Sequence, residues 1–102
     1  MERMTQRAVI EYLTLMENQG KCYFFRSGSG AIRTEQGNYF KTGKPGCPDI
    51  SVVTPQGYIA LEVKTDKGKL SQAQLDAKNR IEALGGQYHI IRSVDDVVRL
   101  IY

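Results

Sequence analysis

The sequence predicts an α/β fold: a mixed central β-sheet with helices on both of its faces. Three observations predict it. Short apolar runs of strand length alternate with stretches of helical period over the 102 residues. A strand–helix–strand unit spans residues 58–91, and such a unit crosses over and sets its last strand parallel to its first. The hydrophobic share of 41% is that of an ordinary globular chain, and the length suits one domain, residues 1–102, with a modest core.

The elements follow in order. Residues 2–18 read as a helix, with Met4, Ala8, Tyr12 and Met16 at four-residue spacing and Val9 and Leu13 beside them. Asn18-Gln19-Gly20 ends it. Cys22 to Arg26 is a short aromatic strand. Ser27-Gly28-Ser29-Gly30 is a loop whose backbone amides are expected to be free for a phosphate; it lacks the lysine and serine pattern of a P-loop. Residues 31–47 are polar and glycine-rich, with Asn38-Tyr39-Phe40 as a short strand or a flap whose rings either pack or stack on bases. Strands are expected near 49–54 and 58–64, joined by a tight turn at Gln56-Gly57 after Pro55. A turn at 65–69 leads to a helix over 71–84, with Leu70, Ala73, Ala77, Ile81 and Leu84 on one face. Ser71 and Gln74 form a capping box at its start, and Gly85-Gly86 stops it. Gln87 to Ile91 is a strand, with His89 in a structural role. Ser93 caps a last short helix that turns Val94, Val97, Val98 and Ile101 inward.

Composition excludes several classes. No run is long enough to span a bilayer, and the start has no signal-peptide pattern, which predicts a cytoplasmic protein. Cys22, Cys47 and the lone His89 lack zinc-ligand spacing, so the two cysteines read as reduced thiols. The formal net charge is +3, but the basic residues are uneven. Lys21, Arg26, Arg33, Lys41 and Lys44 stand against Glu35 alone, and Lys64, Lys67 and Lys69 form a second group. Such local excess suits phosphate contacts; its plainer reading is a solvated, lysine-rich loop.

The chemistry concentrates in Gly46-Cys47-Pro48-Asp49 and Glu62-Val63-Lys64. Alternation puts Glu62 and Lys64 on one face of their strand and Ile59, Leu61 and Val63 on the buried one. The hairpin returns the second strand beside the first, so Asp49 faces Glu62. Pro48 restricts pairing at the strand entrance. Mg²⁺ and Mn²⁺ prefer hard oxygen ligands, commonly a pair of carboxylates with water and phosphate. A lysine beside the ion steadies developing charge, and the Val63 carbonyl is a further candidate ligand. Taken singly, a Glu-x-Lys is a common cross-face ion pair and a Pro-Asp a common turn; the order and the intervening hairpin favour catalysis.

With Gly46, Pro48, Asp49, Glu62, Lys64, Leu70, Ser71 and Gln74 in place, the chain resembles the VRR-NUC domain of the PD-(D/E)XK nuclease superfamily. Arg26-Ser27-Gly28 and Arg92-Ser93-Val94-Asp95-Asp96 extend the resemblance over nearly the whole chain, as in small stand-alone phage-type members. The resemblance implies a restriction-endonuclease-like sheet flanked by helices, with Asp49 and Glu62 as metal ligands and Lys64 as the catalytic lysine. It implies a Mg²⁺- or Mn²⁺-dependent DNA endonuclease acting on branched or four-way junctions in a bacterial or phage-infected cell; a domain too small to wrap a duplex is expected to work as a homodimer. It also implies a first-helix glutamate at the metal, Glu2 rather than Glu11, and a role for Gln74 at the active site or on DNA beside its capping role. Arg26, Ser27, Gly28, Arg33, Lys41, Lys44 and Lys67 are the expected nucleic-acid contacts. The alternative is a non-catalytic nucleic-acid-binding module that keeps the fold.

Overall fold

The computed structural model describes residues 2–28, 30–33, 39–42 and 44–102; for Glu2, 30–33 and 39–42 the backbone alone is described. The elements are α1 (Glu2–Asn18), β1 (Tyr23–Arg26), β2 (Gly30–Arg33), β3 (Tyr39–Thr42), β4 (Ile50–Thr54), β5 (Gly57–Val63), α2 (Gln72–Ala83), β6 (Gln87–Ile91) and α3 (Val94–Val98). Strands β1, β4, β5 and β6 form the central sheet in that order. β1–β4 and β4–β5 are antiparallel, and β5–β6 is parallel. The sheet is therefore mixed, as the strand–helix–strand unit requires. β2 and β3 make a separate antiparallel pair. β2 lies in a stretch expected to be loop, because four residues are too few to show a period.

The turn between β4 and β5 sits one residue earlier than expected. Thr54 pairs with Gly57, so Pro55 and Gln56 are its centre. Proline's fixed φ suits the first central position of a turn. Thr54 Oγ1 accepts from the Gln56 amide at 3.1 Å and donates to the Gly57 carbonyl at 3.0 Å. The shift matters. With this centre Ile50 pairs with Leu61, so Asp49 and Glu62 stand at the next step of the ladder. A turn one residue later would set Ser51 against Glu62 instead.

The core lies on one face of the sheet. Ile50, Val52, Ile59, Leu61, Val63 and Ile91 meet Val9, Leu13 and Met16 of α1 and Val97 and Ile101 near α3. Tyr12 adds a hydrogen bond from its hydroxyl to the Ile101 carbonyl at 2.5 Å. Met4 does not join this core and is 69% exposed. A four-residue spacing advances about 40° round a helix at each step, so the expected stripe leaves the core face before it reaches the first turn.

Helix α2 lies on the opposite face and contacts β6. None of its residues is fully buried. Leu84, expected on its inner face, is 90% exposed because it caps the helix and the pattern stops there. Val98, expected inward on α3, is likewise exposed. Among the described residues no helix is long and apolar enough to cross a membrane.

Candidate active site

The β4–β5 hairpin gathers both acids. Asp49 lies just before β4, and its Oδ2 accepts from the Val63 amide at 2.8 Å. Glu62 sits on the α2 side of β5, where it is only 3% exposed. Its Oε2 accepts from Gln74 Nε2 at 3.0 Å and lies 3.7 Å from Lys64 Nζ. Gln74 also completes the α2 capping box: its Oε1 accepts from the Ser71 amide at 2.9 Å, and its own amide donates to Ser71 Oγ at 3.2 Å. Gln74 thus caps α2, as expected, and also touches Glu62.

The end of β1 braces Asp49 from behind. Its carbonyl accepts from the Ser27 amide at 3.0 Å and the Gly28 amide at 3.2 Å. These two amides are thus spent inside the protein, which corrects the expectation that they are free for a phosphate. Ser27 Oγ donates to the Pro48 carbonyl at 2.9 Å. A carbonyl only accepts, so the rest of the chain is ordered: Ser51 Oγ donates to Ser27 Oγ (2.7 Å), and the Tyr58 hydroxyl to Ser51 Oγ (2.8 Å). Three hydroxyls behind the site fix the backbone that carries Asp49.

The electrostatics are those of a crowded acid pair. Burial first, then the Asp49 charge and hydrogen bonding with it, push the Glu62 carboxyl up to about 7; Lys64 pulls the other way and does not offset them. Burial, followed by the charges of Glu62 and Asp49, raises the Tyr88 hydroxyl well above its ordinary range. Among the described residues, two buried side-chain polar atoms lack a hydrogen-bond partner, Glu62 Oε1 and the Tyr88 hydroxyl. Tyr88 pairs with Ala60, one same-face step before Glu62. These two unsatisfied atoms thus lie together beside the acid pair.

Other expected residues fall at varied places. Lys67 lines an open cleft with Thr5, Lys64, Thr65, Asp66 and Arg92. Arg26 is exposed and donates to Gln6 Oε1 at 3.2 Å. Lys44 is exposed, and its amide donates to Cys47 Sγ at 3.3 Å. Val63 has its side chain in the core while its amide holds Asp49. Glu11 pairs with Arg7 on the exposed face of α1 at 3.6 Å. The side chains of Glu2, Arg33, Lys41, Tyr39 and Phe40 lie outside the described residues, as does Ser29. His89 stands apart from the site, its Nε2 2.9 Å from Gln87 Oε1; burial lowers its pKa, which agrees with a structural role.

Sequence reasoning gave no role to Arg92. Its guanidinium donates to the Thr65 carbonyl and, at 3.1 Å, to the Gly68 carbonyl, clamping the turn that follows Lys64. The signal was available only through register. Val63 pairs with Ile91, and the Lys64 amide donates to the Ile91 carbonyl at 2.9 Å, so the residues just past each strand are neighbours.

The raised Glu62 value carries a stability prediction. An unfolded chain ionises this carboxyl near the ordinary glutamate value of about 4.3, and the folded chain near 7. Below the ordinary value the group is neutral in both states and costs nothing. As pH rises toward about 7 the unfolded chain releases a proton that the folded chain keeps, so stability falls, then levels. Thermal melts in chelator should show the wild type losing Tm between pH 5 and pH 7 relative to Glu62→Gln. Parallel profiles for the two proteins would refute the assignment.

No family model matches the sequence, and no curated protein matches it. A solved structure described as a VRR_NUC domain is similar to it over 97% of this chain and 91% of that one, with a TM-score of 0.64 and 24% sequence identity. The mixed four-stranded sheet with helices on both faces and this near-complete structural overlap make the fold restriction-endonuclease-like, that of a VRR-NUC domain.

Proposed function

We propose that this chain is a nuclease that hydrolyses phosphodiester bonds in DNA with Mg²⁺ or Mn²⁺. The observation that carries the reading is the acid pair itself, a buried Glu62 beside a partly exposed Asp49. Asp49 and Glu62 converge with Lys64 and Gln74, and one Glu62 oxygen is buried without a partner. Two repelling carboxylates of this kind are a donor set that fits a hard divalent cation. Among the described residues no group of three ligating side chains exists, so Asp49 and Glu62 would hold the ion with water and phosphate oxygens completing its shell. When bound, the ion supplies polarisation of the phosphate and a lowered water pKa.

The chain's own residues then have separable tasks. The Val63 amide and the Ser27–Gly28 brace fix Asp49, and Gln74 Nε2 orients Glu62. Lys64, 18% exposed at its side chain, places a cation where charge grows on the phosphate. Arg92 holds the turn behind Lys64.

The finer reading is a homodimer acting on branched or four-way DNA. A domain of this size has little surface with which to enclose a duplex, and a second copy would supply a second cutting site. Tyr23, Phe25 and Val53 leave an exposed apolar strip across β1 and β4 that is available for such pairing.

The test is a cleavage panel of linear, single-stranded, flap and four-way DNA, run with Mg²⁺, with Mn²⁺ and with chelator. Cleavage in either metal and none in chelator is the expected result. Binding without cleavage in both metals would instead favour the non-catalytic module.

A further inference from the structure

A second cleft lies on the far side of α1 from the one that holds Lys64. It is lined by Arg3, Gln6, Arg7, Ile10, Glu11 and Arg26. Thr5 lines the first cleft and Gln6 the second, so the opening turns of α1 form the wall between them. Three arginines and one glutamate leave this cleft with an excess of two positive charges, against +3 for the whole chain. The first cleft carries the same excess, from Lys64, Lys67 and Arg92 against Asp66, so the basic charge flanks the opening turns of α1 on both sides, and Ile10 lines the second cleft beside its arginines.

Its position ties it to the acid pair. Arg26 pairs with Ile50 at the end of β1 and directly precedes Ser27, whose amide holds Asp49. Gln6 Oε1 takes one donor of Arg26 at 3.2 Å, which orients the guanidinium and leaves its other donors outward. Arg26 and Arg92 end the two outer strands of the sheet at the same edge. Through the ladder Arg26 stands level with His89, so Arg92 lies three spacings across and three residues further along, about 17 Å away. Arginine matches phosphate with paired donors, and Arg3 and Arg7 are both exposed.

We propose that Arg3, Arg7 and Arg26 form a second phosphate-binding cleft that grips the DNA backbone on the side of α1 opposite Lys64, Lys67 and Arg92. The duplex then lies across the opening turns of α1, with the acid pair between two sets of phosphate contacts. The inference rests on DNA being the substrate. Glu11 is the opposing charge within the cleft, since its carboxylate occupies Arg7 at 3.6 Å.

The test is the salt dependence of binding to a fluorescent 30-base-pair duplex, followed by anisotropy in chelator. Each phosphate contact contributes about 0.9 to the slope of log K against log salt. The double variant Arg3→Ala/Arg7→Ala should lose about 1.8 of that slope and bind more weakly at every salt concentration. Glu11→Gln should bind more tightly than wild type. Arg80→Ala, in the last turn of α2, should match wild type. A double variant with the wild-type slope would overturn the cleft while leaving the nuclease reading intact. A wild type that binds no duplex at any salt would also overturn the cleft, whereas the nuclease reading falls only if the cleavage panel shows no metal-dependent cutting of any substrate.

Discussion

Lys64→Ala and Glu62→Gln should each lower cleavage by about a hundred- to a thousandfold, the scale seen when one charge-stabilising group is removed from an active site. The two losses should not add, because the side chains serve one charge cluster, with Lys64 Nζ 3.7 Å from Glu62 Oε2. DNA binding should survive in both, since phosphate contacts spread over the basic clefts supply it. Stability separates chemistry from misfolding. Glu62 is 3% exposed, and its charge is opposed by burial and by Asp49. An amide of the same shape removes that cost while still accepting from Gln74. At pH 8 without metal, Glu62→Gln should therefore melt above the wild type while cutting far more slowly. The measurement is a single-turnover rate in Mn²⁺ beside a thermal melt. Near-wild-type cleavage in Glu62→Gln would sink the proposed role.

Gly46→Ala should unfold at markedly lower temperature. Gly46 has φ +80, and a Cβ there would lie 2.1 Å from the Ala73 carbonyl oxygen and 2.5 Å from its carbon. The left-handed backbone costs a substituted residue about 1–2 kcal/mol. The clash adds a similar amount, because both obstructing atoms are backbone and cannot swing away. A loss of about 3 kcal/mol corresponds to roughly 15 °C in a domain of this size. Gly20 is the control: its φ is +76 but nothing stands within 4 Å of the added atom, so Gly20→Ala should cost only about 1 kcal/mol. Equal melting points for the two variants would show that the close approach to α2 is unimportant. Activity should fall as well. The Gly46 turn leads into Asp49, and α2 carries the Gln74 that holds Glu62, so forcing them apart separates the acids.

These outcomes show which parts of the molecule a sequence can reveal. Alternation on β5 placed Glu62 and Lys64 together and sent Ile59, Leu61 and Val63 into the core. The parallel β5–β6 pairing followed from the intervening helix. Such features depend on local period alone. The turn centre did not, because Pro55 and Gly57 both favour a turn and only the ladder decides between them. Nor did the depth at which Glu62 is buried, where the Gln74 side chain reaches it from α2. Arg92, Tyr88 and the Ser27–Ser51–Tyr58 relay are contacts between residues far apart in sequence. Arg3 and Arg7 of α1 belong to no motif in the sequence, and only the fold brings Arg26 beside them.

Gln74 has an outcome for how position 74 can vary. One planar amide accepts at its oxygen for the helix start and donates at its nitrogen to Glu62. Glutamate would preserve the first contact and forfeit the second, a lysine would do the reverse, and asparagine carries both groups on a shorter stem. Strict retention of glutamine among relatives would thus be required by architecture alone, and would not by itself indicate that this side chain meets the nucleic acid.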